Sequence, residues 1–174
     1  WKYFHPKKPM PKLLLCIEDL DIWKLKIPKS REITLYLRSK PMTFTFMNKL
    51  ARELENPKTR AAIIAKGTAI LDFENMIVND LIEKKAERVL FEGFETYAVN
   101  SPNFQSQIGS VLAKKFPPIA LIWHERDGEI LTSMRSDGTV DVSRIATKFG
   151  GGGHKGAAMF RFPAEQERPW KLIK

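Results

Sequence analysis

Residues 149–158 read Phe-Gly-Gly-Gly-Gly-His-Lys-Gly-Ala-Ala and form the most distinctive stretch of this 174-residue chain. Four consecutive glycines cost backbone entropy, so a sequence that keeps them needs positive φ angles or a close approach of the backbone to something else. Backbone amides exposed in such a run form a concavity that binds anions, and His154 adds a further donor. The stretch therefore indicates either an anion-binding turn or a purely structural one.

An arginine stands a short distance upstream of the glycines. The segment Ser133-Met134-Arg135-Ser136 places Arg135 at the end of a predicted strand, and a guanidinium fork suits two phosphate oxygens at once. Together these residues predict a clamp for phosphate groups, made of Arg135, Ser136, Gly151, Gly152, Gly153 and His154. The alternative is a structural turn in which Arg135 pairs with Asp137 or Asp141.

Short strands and helices alternate around these motifs in the second half of the chain. The strands are predicted from runs rich in β-branched and aromatic residues, and the turns from Asp127-Gly128 and Asp137-Gly138. Two helical segments, 104–116 and 142–149, separate them. The predicted strands cover residues 89–91, 96–99, 119–123 and 130–134. This half is expected to fold as a small α/β lobe with a mixed sheet.

The first half reads as helical. Apolar residues at helical spacing predict helices over residues 12–25, after Ser30 as the N-cap, and over 43–54. A stretch without proline, residues 58–87, predicts one helix of about 45 Å at 1.5 Å per residue. The predicted class is therefore α/β, with a helical N-terminal segment and a long connector helix before the sheet lobe. The predicted division is 1–57, 58–87, 88–163 and a tail, 164–174.

Composition narrows the classes of function. The chain has 29 Lys and Arg against 20 Asp and Glu, a net charge of +9, which indicates a polyanionic partner, RNA or DNA first. A basic solvated surface without a partner is the alternative. Hydrophobic residues make up 43%, which excludes wholesale disorder. The apolar runs are far shorter than the roughly 20 residues of a membrane span. With a single cysteine, Cys16, we expect an intracellular protein of the cytoplasm or an organellar matrix, mitochondria included.

The motifs occur in a fixed order: Ser-Met-Arg-Ser-Asp-Gly at 133–138, Val-Asp-Val-Ser-Arg-Ile-Ala at 140–146, and the glycine run. This series resembles the C-terminal substrate-binding domain of the DHH family of phosphoesterases, which includes RecJ-like exonucleases, oligoribonucleases and cyclic-dinucleotide phosphodiesterases. The resemblance implies that residues 88–163 form the DHH-associated domain and that the clamp holds substrate phosphates. The family usually has glycine after Ala-Ala, where this chain has Met159.

The resemblance extends back to residues 17–28. Their sequence, Ile-Glu-Asp-Leu-Asp-Ile-Trp-Lys-Leu-Lys-Ile-Pro, is similar to the end of the DHH catalytic domain in a subgroup that reads Asp-Arg-Asp-Leu-Trp. It implies that Asp19 helps hold manganese or magnesium, although Leu20 replaces the arginine of the subgroup. Asp19 and Asp21 are about 200° apart on a helix, so only one of them can face a site. Solvated helix carboxylates near Lys24 and Lys26 are the alternative.

The remaining metal ligands of the family do not occur in the sequence. There is no Asp-His-His triplet, and the histidines at 5, 124 and 154 are not clustered. A two-metal phosphodiesterase needs several hard ligands, so the chain alone is expected to lack a complete active site. Because it starts with Trp1 rather than Met, we expect a missing N-terminal portion.

Two functions remain open. One is the phosphate- and nucleic-acid-binding C-terminal part of a manganese-dependent phosphoesterase, acting on short RNA, a nucleotide or polyphosphate together with the missing catalytic half. The other is a degenerate, non-catalytic homologue that serves as a structural or RNA-binding subunit of a larger ribonucleoprotein assembly, organellar assemblies included.

Overall fold

In a computed structural model, which describes residues 1–173, the chain forms a helical unit of residues 1–75 and a sheet unit that begins at Met76. The predicted α/β class, with a helical first half and a mixed sheet in the second, is confirmed. Four helices cover the first half of the chain: α1 (Lys12–Asp21), α2 (Ser30–Arg38), α3 (Phe44–Glu55) and α4 (Pro57–Lys85). No helix in residues 1–173 is both long and apolar enough to cross a bilayer.

The helical unit has its own apolar core. Its buried members come from all four helices: Leu13, Cys16, Ile33, Leu37, Leu50, Leu54 and Ile63. Helix α3 begins as predicted, because the Thr43 side chain accepts a hydrogen bond from the backbone N–H of Phe46. The start of α2 differs from the prediction. Lys29, with a φ of 68°, precedes the helix, and Ser30 is its first residue.

The sheet unit contains seven strands in the order β5-β6-β4-β3-β2-β1-β7. Neighbouring strands are antiparallel except β2 and β3, which are parallel. The strands are β1 (Ala86–Phe91), β2 (Phe94–Asn100), β3 (Ile119–Arg126), β4 (Glu129–Ser136), β5 (Gly152–His154), β6 (Ala157–Pro163) and β7 (Lys171–Leu172). Asp127 and Gly128 both have positive φ angles, as a type I′ hairpin turn requires.

Two helices of this unit pack on opposite faces of the sheet. Helix α5 (Gln105–Lys115) contributes Ile108, Leu112 and Ala113 to a core with Ala120 and Ile122 of β3. Helix α6 (Val142–Lys148) covers the other face, where the buried residues include Leu121, Met134, Ala158, Phe160 and Trp170. We call these the α5 face and the α6 face.

Candidate anion-binding site

Arg135 and His154 lie in one row across the sheet. Arg135 of β4 is paired with Ala157 of β6, and Ala157 is paired with His154 of β5. Paired residues of antiparallel strands point to the same face, so both side chains share the α5 face with the small side chain of Ala157 between them. Because neighbouring strands lie about 4.8 Å apart, the Cα atoms of Arg135 and His154 are roughly 10 Å apart.

The guanidinium of Arg135 is held by two hydrogen bonds within the protein. Nη1 donates to the backbone oxygen of Met134 at 2.8 Å, and Nη2 donates to Oγ of Ser106 at 2.7 Å. Helix α5 can approach the arginine stem because residue 109 is glycine. A Cβ added at Gly109 would lie 2.5 Å from Cγ of Arg135. These contacts use two of five N–H groups and fix the direction of the side chain.

No carboxylate pairs with this guanidinium in the part of the chain that the structure describes. The partners that the structural alternative named are engaged elsewhere. Asp137 accepts hydrogen bonds from Thr139, and Asp141 accepts hydrogen bonds from Ser143 at the start of α6. Burial lowers the pKa of Arg135, which means that the fold disfavours the cation. A partly buried cation without a counter-ion marks a place where an anion binds favourably.

Ser136, the next predicted clamp residue, is engaged in the turn that follows β4. Its hydroxyl donates to the backbone oxygen of Val140 at 2.7 Å and accepts from the N–H of Gly138 at 3.0 Å. Its own N–H donates to the oxygen of Gly156, which joins the turn to the loop between β5 and β6. Ser136 therefore positions the end of the strand that carries Arg135, and its binding to phosphate stays a prediction.

The predicted glycines differ from one another in their surroundings. The N–H of Gly151 donates to the backbone oxygen of Ala146 at 2.9 Å. Added Cβ atoms at Gly151 and Gly153 would lie 2.1 Å and 2.5 Å from backbone atoms of β6, whereas one at Gly152 would meet no atom within 4 Å. Gly151 and Gly153 therefore allow β5 to lie close to β6, and Gly152 faces open space. His154, at the end of β5, is exposed.

The sequence did not point to the polar residues that helix α5 brings to this face. Gln105 forms two hydrogen bonds, from its Nε2 to Nδ1 of His124 and from Oγ of Ser133 to its Oε1, both at 2.9 Å. Gln105 and Ser106 are separated from their strand partners by 19 to 29 residues. No local motif signals such contacts.

Asp19 is a buried loop anchor rather than an open carboxylate. Its Oδ1 accepts from the N–H of Lys26 at 2.9 Å, and its Oδ2 accepts from the N–H of Ile27 at 3.1 Å and from Oγ of Ser30 at 2.7 Å. Burial by itself would raise the pKa of Asp19, but these hydrogen bonds outweigh it and lower the pKa. Asp21 is exposed, so the two carboxylates do face different surroundings, as the helical spacing predicted.

The residues around Asp19 do not fit a metal ion. Both of its oxygens already accept hydrogen bonds from donors, and those donors lie where a cation would have to approach. Within residues 1–173, no group of three or more His, Cys, Asp or Glu side chains is arranged to hold a metal. These contacts do not favour the assignment of Asp19 to manganese or magnesium, which is an untested prediction.

Comparison with known proteins finds a family match inside the sheet unit. Residues 97–169 match the DHHA1 domain. An uncharacterised protein of Acanthamoeba polyphaga mimivirus is 31% identical over 170 residues, and the match covers 93% of this chain and 39% of that protein. The chain thus spans about two fifths of the length of this relative.

Two solved structures share the fold. The pGpG-specific phosphodiesterase PggH of Vibrio cholerae has a TM-score of 0.54 at 10% identity, over 95% of this chain and 67% of that one. The DHH domain of a member of the s1p family of ribosomal proteins has a TM-score of 0.52 at 11% identity, over 97% of this chain and 44% of that one. At such identities the likeness concerns the fold alone. The family match includes Arg135, the glycine run and α5, so the resemblance of this part of the chain to the DHHA1 domain, the domain associated with the DHH family of phosphoesterases, is confirmed.

Proposed function

We propose that the DHHA1 domain of this chain binds the phosphate groups of a nucleotide or short RNA, as the substrate-binding part of a DHH-family metal-dependent phosphodiesterase. The observation that carries the proposal is the partly buried guanidinium of Arg135, which is desolvated and has no carboxylate partner within residues 1–173. The net charge of +9 adds a long-range attraction for a polyanion.

The hydrogen-bond donors of the clamp are held in position before a ligand binds. Ser106 and the backbone oxygen of Met134 hold the guanidinium from one side, so its remaining N–H groups are available to phosphate oxygens. His154, in the same row, supplies a second donor at the edge of the sheet. Preorganised donors of this kind lose little conformational entropy on binding.

Hydrolysis would be the task of a different part of the protein. The helical unit offers Asp19, whose oxygens are already occupied by hydrogen bonds, and no step can be assigned to it. We therefore place activation of water, and the metal ions that this requires, in a catalytic part with clustered aspartates and Asp-His-His. The name of PggH, a pGpG-specific phosphodiesterase, supports a small phosphorylated substrate.

The engaged carboxylate of Asp19 favours the second candidate, a non-catalytic RNA-binding homologue. The two candidates are separated by assaying the full-length protein with Mn²⁺ on pGpG and on a short RNA. Turnover that depends on Mn²⁺ supports the phosphodiesterase. Binding without turnover supports the non-catalytic homologue.

The clamp itself is tested by calorimetric titration of the chain with inorganic phosphate and with a short single-stranded RNA. Arg135→Ala should weaken phosphate binding by about 10- to 150-fold, which corresponds to about 1.5–3 kcal/mol for a hydrogen bond to a charged group. Arg88→Ala is the matched control. Arg88 lies on β1, three strands away from β4, and forms a salt bridge with Glu95. If Arg135→Ala leaves the affinity unchanged, or Arg88→Ala lowers it equally, the clamp is wrong.

A further inference from the structure

Met159 is an exposed apolar side chain on the face that carries Arg135. In β6, Ala158, Phe160 and Phe162 are buried in the core of the α6 face. The alternate residues, Met159 among them, therefore point to the α5 face. Met159 is 45% exposed, and its partners in the adjacent strands, Ser133 and Gly152, are small.

The position of Met159 relative to the clamp is set by the register. Met159 is paired with Ser133 on one side and with Gly152 on the other, one row along from the row of Arg135, Ala157 and His154. Two residues along a strand correspond to about 7 Å. That separation suits a ligand in which a phosphate and a flat ring are joined by one sugar.

The surroundings of Met159 leave a space for such a ring. Gly152 has no side chain, and an added Cβ there would meet no atom within 4 Å. On the other side, the hydroxyl of Ser133 is turned to Gln105, which also holds His124. Met159 thus has open space at Gly152 on one side, and on the other side it has Ser133, which is hydrogen-bonded to Gln105.

We propose that Met159 determines specificity at the phosphate site by packing its thioether against the nucleobase of a nucleotide whose phosphate is bound by Arg135. A thioether is polarisable and makes favourable contacts with aromatic rings, and every nucleobase offers such a face. The proposal rests on the proposed function, because it takes the Arg135 row as the position of the phosphate.

The test compares three probes: inorganic phosphate, ribose 5-phosphate and AMP. The wild-type chain should bind AMP about two- to tenfold more tightly than ribose 5-phosphate, the scale of a sulfur–aromatic contact. Met159→Ala should reduce this ratio to about one without changing the affinity for inorganic phosphate, and Met159→Leu should retain part of it. Met76→Ala removes a methionine that is 59% exposed on α4 and should leave the ratio unchanged.

The outcomes distinguish the role of Met159 from the proposed phosphate binding by Arg135 on which it rests. Phosphate binding that depends on Arg135, together with equal affinities for AMP and ribose 5-phosphate, overturns the role of Met159 alone. A Met159→Ala variant that loses phosphate and AMP affinity equally, or keeps the wild-type ratio, also overturns it. Failure of the wild-type chain to bind phosphate overturns both proposals.

Discussion

Alanine substitutions along the glycine run test the geometry of the site, because they should differ in cost although the residues are chemically identical. At Gly153 a Cβ would lie 2.5 Å from Cα and 2.8 Å from Cβ of Ala158, and the φ of Gly153 is +149°. At Gly151 it would lie 2.1 Å from the backbone oxygen of Met159. At Gly152 it would meet no atom within 4 Å.

These contacts set the expected magnitudes. Forcing extra atoms against backbone costs about 1–3 kcal/mol, and a backbone region that essentially only glycine adopts adds about 1–3 kcal/mol. Gly153→Ala should therefore lose about 2–6 kcal/mol of unfolding free energy and Gly151→Ala about 1–3 kcal/mol. Gly152→Ala should stay within about 0.5 kcal/mol. Since 1 kcal/mol shifts the Tm of a domain of up to 100 residues by about 4–8 °C, Gly153→Ala should lower it by about 10 °C or more.

Thermal unfolding followed by circular dichroism measures the stabilities, and titration with AMP measures the site. Gly152→Ala should keep the wild-type Tm but bind AMP less tightly, because its methyl group enters the space beside Met159. A Tm that falls as far in Gly152→Ala as in Gly153→Ala would refute the register of β5 on β6. Equally small effects at all three positions would refute the close approach of the two strands.

Two further predictions concern the helical unit. Glycine to alanine inside a helix normally stabilises it by about 1 kcal/mol, but a Cβ at Gly67 would lie 2.0 Å from the backbone oxygen of Glu32. Gly67→Ala should therefore destabilise the unit by about 1–3 kcal/mol in urea unfolding. Ala65→Gly, at an exposed position of α4, gives the ordinary helix cost for comparison, and a stabilised Gly67→Ala would contradict the contact. Hydrogen bonding holds the pKa of Asp19 below its usual value. The ionised carboxylate therefore stabilises the fold above its unfolded pKa of about 3.9. This stabilisation is lost as the pH falls through the pKa of the folded state. The difference in free energy of unfolding between the wild type and Asp19→Asn should accordingly be largest near neutral pH and shrink below about pH 4. A difference that does not change with pH would argue against the three hydrogen bonds.

Local signals in the sequence predicted most of the fold. Helix α3 follows from apolar residues at helical spacing, and α4 from a long stretch without proline. The strands β1 to β4 follow from β-branched and aromatic runs, and the turn at Asp127-Gly128 has the backbone that such a dipeptide prefers. Each of these features depends on neighbours in the chain, so a sequence contains enough information to place it.

Features that depend on distant partners were missed. Residues 164–174 were predicted only as a tail, yet Trp170 is buried in the core of the α6 face and Lys171 is paired with Leu90 of β1. A two-residue strand has no periodicity to detect, and its pairing partner is far away in the chain. Gly67 lies inside α4 and makes room for the backbone of Glu32, a contact between two helices that no local pattern shows.

The same distinction between local and distant signals applies to the candidate site. The motif located Arg135 and the glycines because these residues follow each other at fixed spacing. The motif did not predict the hydrogen bonds that support the site. Arg135 is hydrogen-bonded to Ser106, and Gln105 is hydrogen-bonded to both His124 and Ser133. Those contacts join a helix to two strands and exist only after the domain has folded.

The arrangement around Arg135 is easier to explain by binding than by stability. Burial of a cation without a counter-ion costs free energy, and apolar residues often replace buried charged groups without loss of stability. Small residues nevertheless surround the Arg135 side chain and leave room for it. They are Gly109 in α5 and, in the neighbouring strands, Ala120 and Ala157. An anion that neutralises the guanidinium would offset the cost of burying it, and the same anion would bind more tightly than it does to an exposed arginine because water screens the pair less. The features that make position 135 unfavourable in the free domain are therefore the ones on which the proposed phosphate binding depends.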